Sequence, residues 1–453
     1  MEELVAFRSF NMSYLPNILF AILLLAGGGF FVKNIRKLSR NINLGRDIDR
    51  SDRSSERWKN MARIALGQSK MVSRPIAGIL HIIVYVGFLI INIEVLEIVI
   101  DGLLGTHRIF AFAGGFYDFL IGSFEILAFL VLVSVIIFWM RRMVLKIPRF
   151  WSKEMTSWPK NDALNILYFE VVLMSLFLLM NGADYALQQM GAIHYVQAGS
   201  FPISQYIAGI LPENELTLFY IERGAWWLHI AGILIFLNYL YYSKHLHILL
   251  AFPNTFYANL EAQGRLDNLE SVTKEVKLMM DPEADPYAVP EEGEEVAVEK
   301  FGASDVTDLN WVQLMNAYTC TECGRCTSVC PANQTGKELS PRAIMMKTRD
   351  RLEEVGKLID ENSEDSFRAD GDGKSLMDTI SEAEIWACTS CNACVTECPI
   401  GIDPLSIIID LRRYLVMENS AAPQELNLMM SNIENNGAPW QYSQMDRLNW
   451  KDE

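Results

Sequence analysis

Cys320-Thr-Glu-Cys323-Gly-Arg-Cys326-Thr-Ser-Val-Cys330-Pro331 is answered further along the chain by Cys388-Thr-Ser-Cys391-Asn-Ala-Cys394-Val-Thr-Glu-Cys398-Pro399. Each run spaces its thiols as C-x2-C-x2-C-x3-C-P. Three thiolates on one tight turn reach three corners of a cubane, and the fourth, followed by a chain-turning proline, points toward the other cluster. The spacing therefore predicts two [4Fe–4S] clusters with crossed ligands. One takes Cys320, Cys323, Cys326 and Cys398; the other takes Cys388, Cys391, Cys394 and Cys330. Structural zinc also uses paired C-x2-C motifs, but a tetrahedral ion gives no reason for the complete run to occur twice. Gly324 is read as letting backbone approach the inorganic sulfurs and donate hydrogen bonds to them. All eight cysteines of the chain fall in this interval, which marks metal ligation and not a disulfide framework. Clusters held by crossed ligands lie close together and suit one-electron relay, and no ninth cysteine is left for a catalytic cluster.

Upstream of this interval the chain changes character. Of 453 residues 51% are hydrophobic, and the apolar ones gather into long runs before about residue 250. Crossing a hydrocarbon core of ~30 Å takes about 20 helical residues. Five stretches approach or meet that length: 16–34, 76–99, 116–140, 163–182 and 222–244. The fold class is thus mainly α, a five-helix transmembrane bundle followed by an α-helical dicluster ferredoxin domain. Lys33, Arg36, Lys37, Arg40 and further basic residues fill the first connection, and Arg141, Arg142, Lys146, Arg149, Lys153 and Lys160 the third. The second and fourth connections carry almost none. The positive-inside rule puts the N-terminus outside and the cysteine domain in the cytoplasm, in a multi-pass protein of the cell inner (cytoplasmic) membrane. Glu2 and Glu3 stand where a signal peptide would be basic, so the first run is read as a retained helix. The net charge of −16 argues against nucleic acid as a partner, since phosphates demand a basic face.

The expected divisions are a membrane domain 1–250, an amphipathic helix and acidic linker 251–307, the ferredoxin domain 308–416 and a loosely ordered tail 417–453. The helix is expected at about 257–280. The acidic, Pro-containing stretch Asp281–Glu295 has the composition of a tether. Residues 183–221 are expected to cap the outer face, with Trp226 and Trp227 as interfacial anchors. Arg325 and the acidic linker are weighed as docking features against plain solvated surface.

Six histidines remain to be placed. A lone membrane histidine often serves only to hydrogen-bond across helices. His229 and His247, however, are 18 residues apart, five whole turns of one helix and a rise of about 27 Å. They would share a face at opposite depths, whereas His245 would point nearly the other way. His81, early in the second helix, lies at the same depth as His247, so these two can bracket one haem b. A second haem at His229 would need His107 or His194 from an outer connection. Glu94, Glu97, Glu125 and Glu170 are costly in hydrocarbon and so are candidates for proton or quinol handling; Glu170, in mid-helix, is the one assigned a quinone or proton role.

Residues 70–250 resemble the haem b membrane subunit of respiratory nitrate reductase and the related subunit of heterodisulfide reductase, in which two haems lie between the second and fifth helices. That resemblance pairs His81 with His247 and leaves His229 without its partner. Residues 310–415, with Cys320-Thr-Glu-Cys323-Gly-Arg-Cys326 and Leu339-Ser-Pro-Arg342, resemble the dicluster domain of heterodisulfide reductase-like and anaerobic glycerol-3-phosphate dehydrogenase-like proteins. Those systems also use a Cys-Cys-Gly domain. This chain has no Cys-Cys pair, so the resemblance implies a soluble partner oxidoreductase that carries one. The resulting expectation is a quinone-linked oxidoreductase subunit of a respiratory chain, relaying electrons between a membrane quinone, haem b and the clusters. The competing reading is a haem-free membrane-tethered ferredoxin whose helices only anchor and assemble.

Overall fold

A computed structural model describes residues 14–283 and 300–452. Most of the acidic stretch read as a tether lies outside the described residues, as do Glu2 and Glu3. The described chain is helical throughout; its β-type pairing is a single isolated bridge, Arg46 with Asn310.

Five helices are long and apolar enough to cross a membrane: α1 (Leu15–Ile42), α2 (Pro75–Leu104), α3 (Gly115–Met143), α4 (Trp158–Met190) and α5 (Glu215–Tyr239). A proline at the first or second position of α1, α2 and α4 pre-sets the backbone angle there. Left-handed glycines, Gly105 and Gly191, close α2 and α4. Every helix starts before its apolar run, and all but α5 also outlast it. The core of the bundle is Phe20, Ile91, Ile98, Tyr117, Ile121, Phe124, Phe177, Trp226 and Ile230, among others. Trp226 belongs to that core instead of an interfacial belt, with its ring 5.1 Å from that of Phe20.

The fifth helix does not continue to His247 as its apolar pattern suggested. It tightens to a 3-10 turn at Leu240–Tyr242, Ser243 is extended, and a second 3-10 turn covers Lys244–Leu246 before a new helix starts at His247. Ser243 Oγ accepts the His245 amide and Asp162 accepts the Lys244 amide at 3.1 Å, so polar side chains take over the backbone groups that the helix releases.

The cysteine-bearing domain is docked on the membrane bundle. One hydrophobic core joins Leu38 and Leu44 of the first connection region, and Leu240 and Leu246 after α5, to Leu309, Leu314, Ile344, Leu352 and Leu411. The basic end of α1, expected as loop, is helix that lies on this domain: Lys37 and Arg40 both pair with Asp360, and Asn41 donates to the Tyr318 hydroxyl at 3.0 Å. The expected helix at 257–280 is shorter, Glu270–Met280. The preceding residues form bends and a turn that pack against the first connection, with Arg57 donating to the carbonyls of Phe256 and Ala258. The polar segment between the cysteine runs holds the end of helix Pro341–Asn362 and a short helix Glu364–Asp370. The C-terminal stretch forms a helix, Gln424–Asn436, that is largely exposed.

Candidate functional site

The two cysteine runs fold alike because their backbones need the same left-handed residues. Glu322 (φ 54°) and Gly324 (φ 71°) in the first are matched by Ser390 (φ 55°) and Asn392 (φ 58°) in the second. Glycine and asparagine tolerate that region best, which accounts for Gly324 and Asn392. A side chain at Gly324 would also collide with the Arg342 guanidinium. Its absent Cβ thus makes room for Arg342, a reason different from the sulfur approach that the motif suggested. Short helices follow each turn, Arg325–Val329 and Ala393–Glu397, and pack on one another. Amides turn inward to the thiols: Ser390 N lies 3.4 Å from Cys388 Sγ and Ile402 N 3.3 Å from Cys398 Sγ, while the Glu322 amide bonds Cys320.

Which thiols face one another follows from their mutual repulsion. Burial pushes Cys320 up to about 12, and Cys323 and Cys398 add to the rise. Cys326 is raised by burial and by Cys323, Cys320, Cys398 and Cys394. Burial raises Cys394 to about 12, with Cys388 and Cys330 contributing, and Cys388 feels Cys330 and Cys391. Cys398 thus stands with the first run and Cys330 with the second. Among the described residues no three His, Cys, Asp or Glu side chains converge on one metal-ion position. A single tetrahedral ion needs its ligands within reach of one point, whereas a cubane spreads four thiolates over its corners. The space at the first run is lined by Cys320, Cys323, Cys326, Cys398, Arg325 and Arg342, among others.

The two thiol sets have unlike surroundings. The first is enclosed by cations, Lys70 from the first membrane connection and Arg342 and Arg325 from the domain itself. Lys70 donates to the Cys398 carbonyl at 3.1 Å, and Arg342, 1% exposed, reaches the Arg149 carbonyl at 2.7 Å, Glu154 at 2.7 Å and Ser152. Arg325 is also buried, against the Lys70 carbonyl, Ser73 and Met71. It therefore seals the domain onto the membrane bundle and is neither a docking feature nor solvated surface. The second set is open: Cys391 is exposed, and Arg412, which donates to the Cys388 carbonyl, is its neighbouring cation.

Three histidines come together between the start of α2 and the turns after α5. His81 and His247 have ring centres 6.4 Å apart, and His245 is 5.4 Å from His247. Two imidazoles on opposite sides of one metal, with bonds of ~2.0–2.1 Å as for zinc, put their ring centres about 6.3 Å apart. His247 Nδ1 bonds the Lys244 carbonyl at 3.1 Å, leaving Nε2 for a metal. His81 Nδ1 and the Tyr85 hydroxyl, one turn on, are buried without partners. His81 and His247 are the residues that would hold one haem, which would supply one-electron redox chemistry there. The break after α5 changes the phasing, so that His245 sits beside His247, with its ring 5.3 Å from Phe236, and not on the opposite side.

At His229 the fit fails. Its Nδ1 bonds the Leu173 carbonyl at 3.0 Å, but His107 is engaged by Asp184 at 3.2 Å and by the Val196 amide, and His194 is exposed. Neither completes a second pair. The far end of the bundle is held instead by Arg108, which no motif in the sequence singles out. Its guanidinium meets Asp184 at 2.5 Å, Asn181 at 3.0 Å and the Tyr117 hydroxyl at 3.0 Å. Glu97 accepts from Tyr117 and from the Phe110 amide, and Glu125 accepts the Ile203 and Ser204 amides of the capping segment. Glu125 thereby ties α3 to the cap, and Glu97 ties α2 to α3 and the connection before it. Glu94 lies 3.8 Å from Arg108. Glu170 is half-buried on α4, and among the described residues no hydrogen bond or ion pair reaches it.

Comparison with known proteins agrees with the thiol geometry. Residues 319–402 match the 4Fe–4S dicluster domain family. This segment is a 4Fe–4S dicluster domain. The whole chain is 29% identical, over 96% of its length and 61% of the relative's, to a probable iron–sulfur-binding oxidoreductase of Bacillus subtilis (strain 168). It is 24% identical, over 96% of its length and 59% of the relative's, to an EtfAB:quinone oxidoreductase of Syntrophomonas wolfei. A third of it is 27% identical to 36% of one subunit of the dihydromethanophenazine:CoB–CoM heterodisulfide reductase of Methanosarcina mazei. The chain spans about 60% of the length of the first two relatives. No solved structure matches it. The chain is thus similar to iron–sulfur oxidoreductases, and it carries its dicluster domain on a five-helix bundle.

Proposed function

We propose that this protein relays single electrons between a membrane quinone and a soluble oxidoreductase, with one haem b between His81 and His247 and two [4Fe–4S] clusters in the dicluster domain. The observation that carries the reading is the pair of imidazoles whose ring centres lie 6.4 Å apart. When bound, the haem and clusters supply one-electron redox chemistry; the chain's residues position and insulate them. Cys320, Cys323, Cys326 and Cys398 hold the inner cluster, and Cys388, Cys391, Cys394 and Cys330 the outer. His245 packs behind His247, and His229 is a structural residue that ties α5 to α4 through the Leu173 carbonyl.

Burial of Arg325 and Arg342 keeps water from the inner thiols, while the exposed Cys391 leaves the outer set accessible to a partner. That partner is a soluble oxidoreductase with a Cys-Cys-Gly domain. Exchange with quinone is supported by the name of the Syntrophomonas relative, an EtfAB:quinone oxidoreductase that aligns along nearly the whole chain. Glu170, unpartnered on a partly lipid-facing helix and one turn from Leu173, is the residue assigned to proton exchange with the quinone. The protein sits in the cytoplasmic membrane with its dicluster domain inside, as part of a respiratory chain; the basic first and third connections support that orientation.

The test is the metal and haem content of the detergent-purified protein. About eight irons beyond haem iron, with one haem by pyridine haemochrome, is the expected result. Eight irons with no haem, in cells replete with haem, would leave a membrane-tethered ferredoxin.

A further inference from the structure

We propose that the Glu322–Lys244 ion pair is a positioning bridge that couples the inner cluster electrostatically to the His247 segment and sets its potential; this rests on the cluster assignment above. The amide of Glu322 bonds the Cys320 thiol, and its carboxylate pairs with Lys244 Nζ. The Lys244 carbonyl in turn accepts His247 Nδ1–H at 3.1 Å. Hydrogen bonds and the covalent frames of two residues thus connect the turn that holds a cluster thiol to the His247 imidazole.

The duplicated motif supplies an internal control. Ser390 occupies the equivalent place with the same left-handed backbone and makes the same amide-to-thiol contact, yet its hydroxyl meets only Arg412, at 3.2 Å. The turn therefore does not need a carboxylate. Glu322 is 3% exposed and is compensated by Lys244 and by Arg349 at 2.7 Å. A buried ion pair adds little net stability over an apolar contact of the same volume, so docking alone does not explain its presence. Buried charges beside a redox centre do act on it strongly, because the local dielectric is low. Lys244 also donates to the Pro159 carbonyl at 2.6 Å and its amide to Asp162, which fixes the bridge to α4.

The test is a potentiometric titration of both clusters by electron paramagnetic resonance on the full-length protein, with Glu322→Gln and Lys244→Gln. Removing the carboxylate leaves two cations beside the inner cluster. At a fixed ambient potential its reduced-to-oxidised ratio is expected to rise on the order of tenfold. Lys244→Gln removes a cation and is expected to lower that ratio by a similar factor. The outer cluster, whose own turn carries Ser390 in place of the carboxylate, is expected to stay within twofold in both. Opposite shifts confined to one cluster are a signature that a merely structural role does not produce. Unchanged ratios, shifts of the same sign, or loss of the inner cluster in both variants would overturn the proposal. The cluster signals are readable without haem, so an absent haem would refute the relay reading without touching this result.

Discussion

Arg342→Met removes a guanidinium while preserving most of its volume, and its effect can be sized from its contacts. The side chain is 1% exposed and bonds three groups of the connection between α3 and α4: the Arg149 carbonyl at 2.7 Å, the Ser152 hydroxyl and the Glu154 carboxylate at 2.7 Å. Hydrogen bonds to a charged group are worth about 1.5–3 kcal/mol each, and breaking a buried pair costs about 3–5 kcal/mol. Glu154 is partly exposed and recovers some hydration, which argues for the lower end, about 3 kcal/mol. At 1.4 kcal/mol per factor of ten, local opening of residues 144–157 becomes roughly 150-fold more frequent. Hydrogen–deuterium exchange of that segment, followed by mass spectrometry in detergent, reads this directly. Lys347→Met, which disrupts a pair with Glu384 inside the dicluster domain, serves as the control. Exchange within twofold of the native protein in the Arg342 variant would refute the claim that this residue docks the domain on the membrane bundle.

Crossed ligation predicts that Cys398→Ser and Cys320→Ser abolish the same cluster signal, and that Cys330→Ser abolishes the other. Electron paramagnetic resonance after reduction checks this, and pairing by sequence neighbourhood would contradict it. In protein stripped of iron, the Cys320 and Cys394 thiols are pushed up to about 12 and Cys398 to about 11, above their ordinary value near 9. The fold favours the neutral thiols, so this contribution to apo-protein stability is complete below about pH 9 and is lost as pH rises toward 12. Thermal melts across that window should show the fall, and the iron-loaded protein should not share it. His81→Ala and His247→Ala are expected to lose the haem band, whereas His229→Ala retains it and lowers thermal stability by about 1–3 kcal/mol for the broken contact with Leu173. Haem loss in the His229 variant would restore a second, outer site.

The helices and the thiols were legible in the sequence for different reasons. Apolar runs near 20 residues in length permit few alternatives in hydrocarbon, so all five spans lie where hydropathy puts them. The cysteine spacing encodes its ligand geometry in covalent distances. Docking was not legible. Lys37 and Arg40 look like a loop's inside charge, yet they extend α1 onto Asp360, because an apolar run says nothing of where a helix ends beyond it. The five-turn spacing of His229 and His247 failed at Ser243, where Asp162 from another helix captures the freed amide of Lys244. Arg108 escaped notice because a lone arginine in an outer connection reads as solvated. Its partners, Asn181 and Asp184, sit far along the chain at the end of α4. Arg342 and Glu322 lay inside recognised motifs, but nothing local indicates that one reaches the α3–α4 connection and the other Lys244.

Electron passage between quinone and clusters by way of the histidine pair is tested most directly by reoxidation. The purified protein is reduced anaerobically with stoichiometric dithionite and mixed with a water-soluble menaquinone analogue. The haem band and both cluster signals are then followed by rapid-scan absorbance and freeze-quench resonance. In the native protein haem and clusters are expected to reoxidise together, and in His247→Ala the clusters are expected to remain reduced over the same interval. Clusters that reoxidise as fast in His247→Ala as in the native protein would contradict the relay.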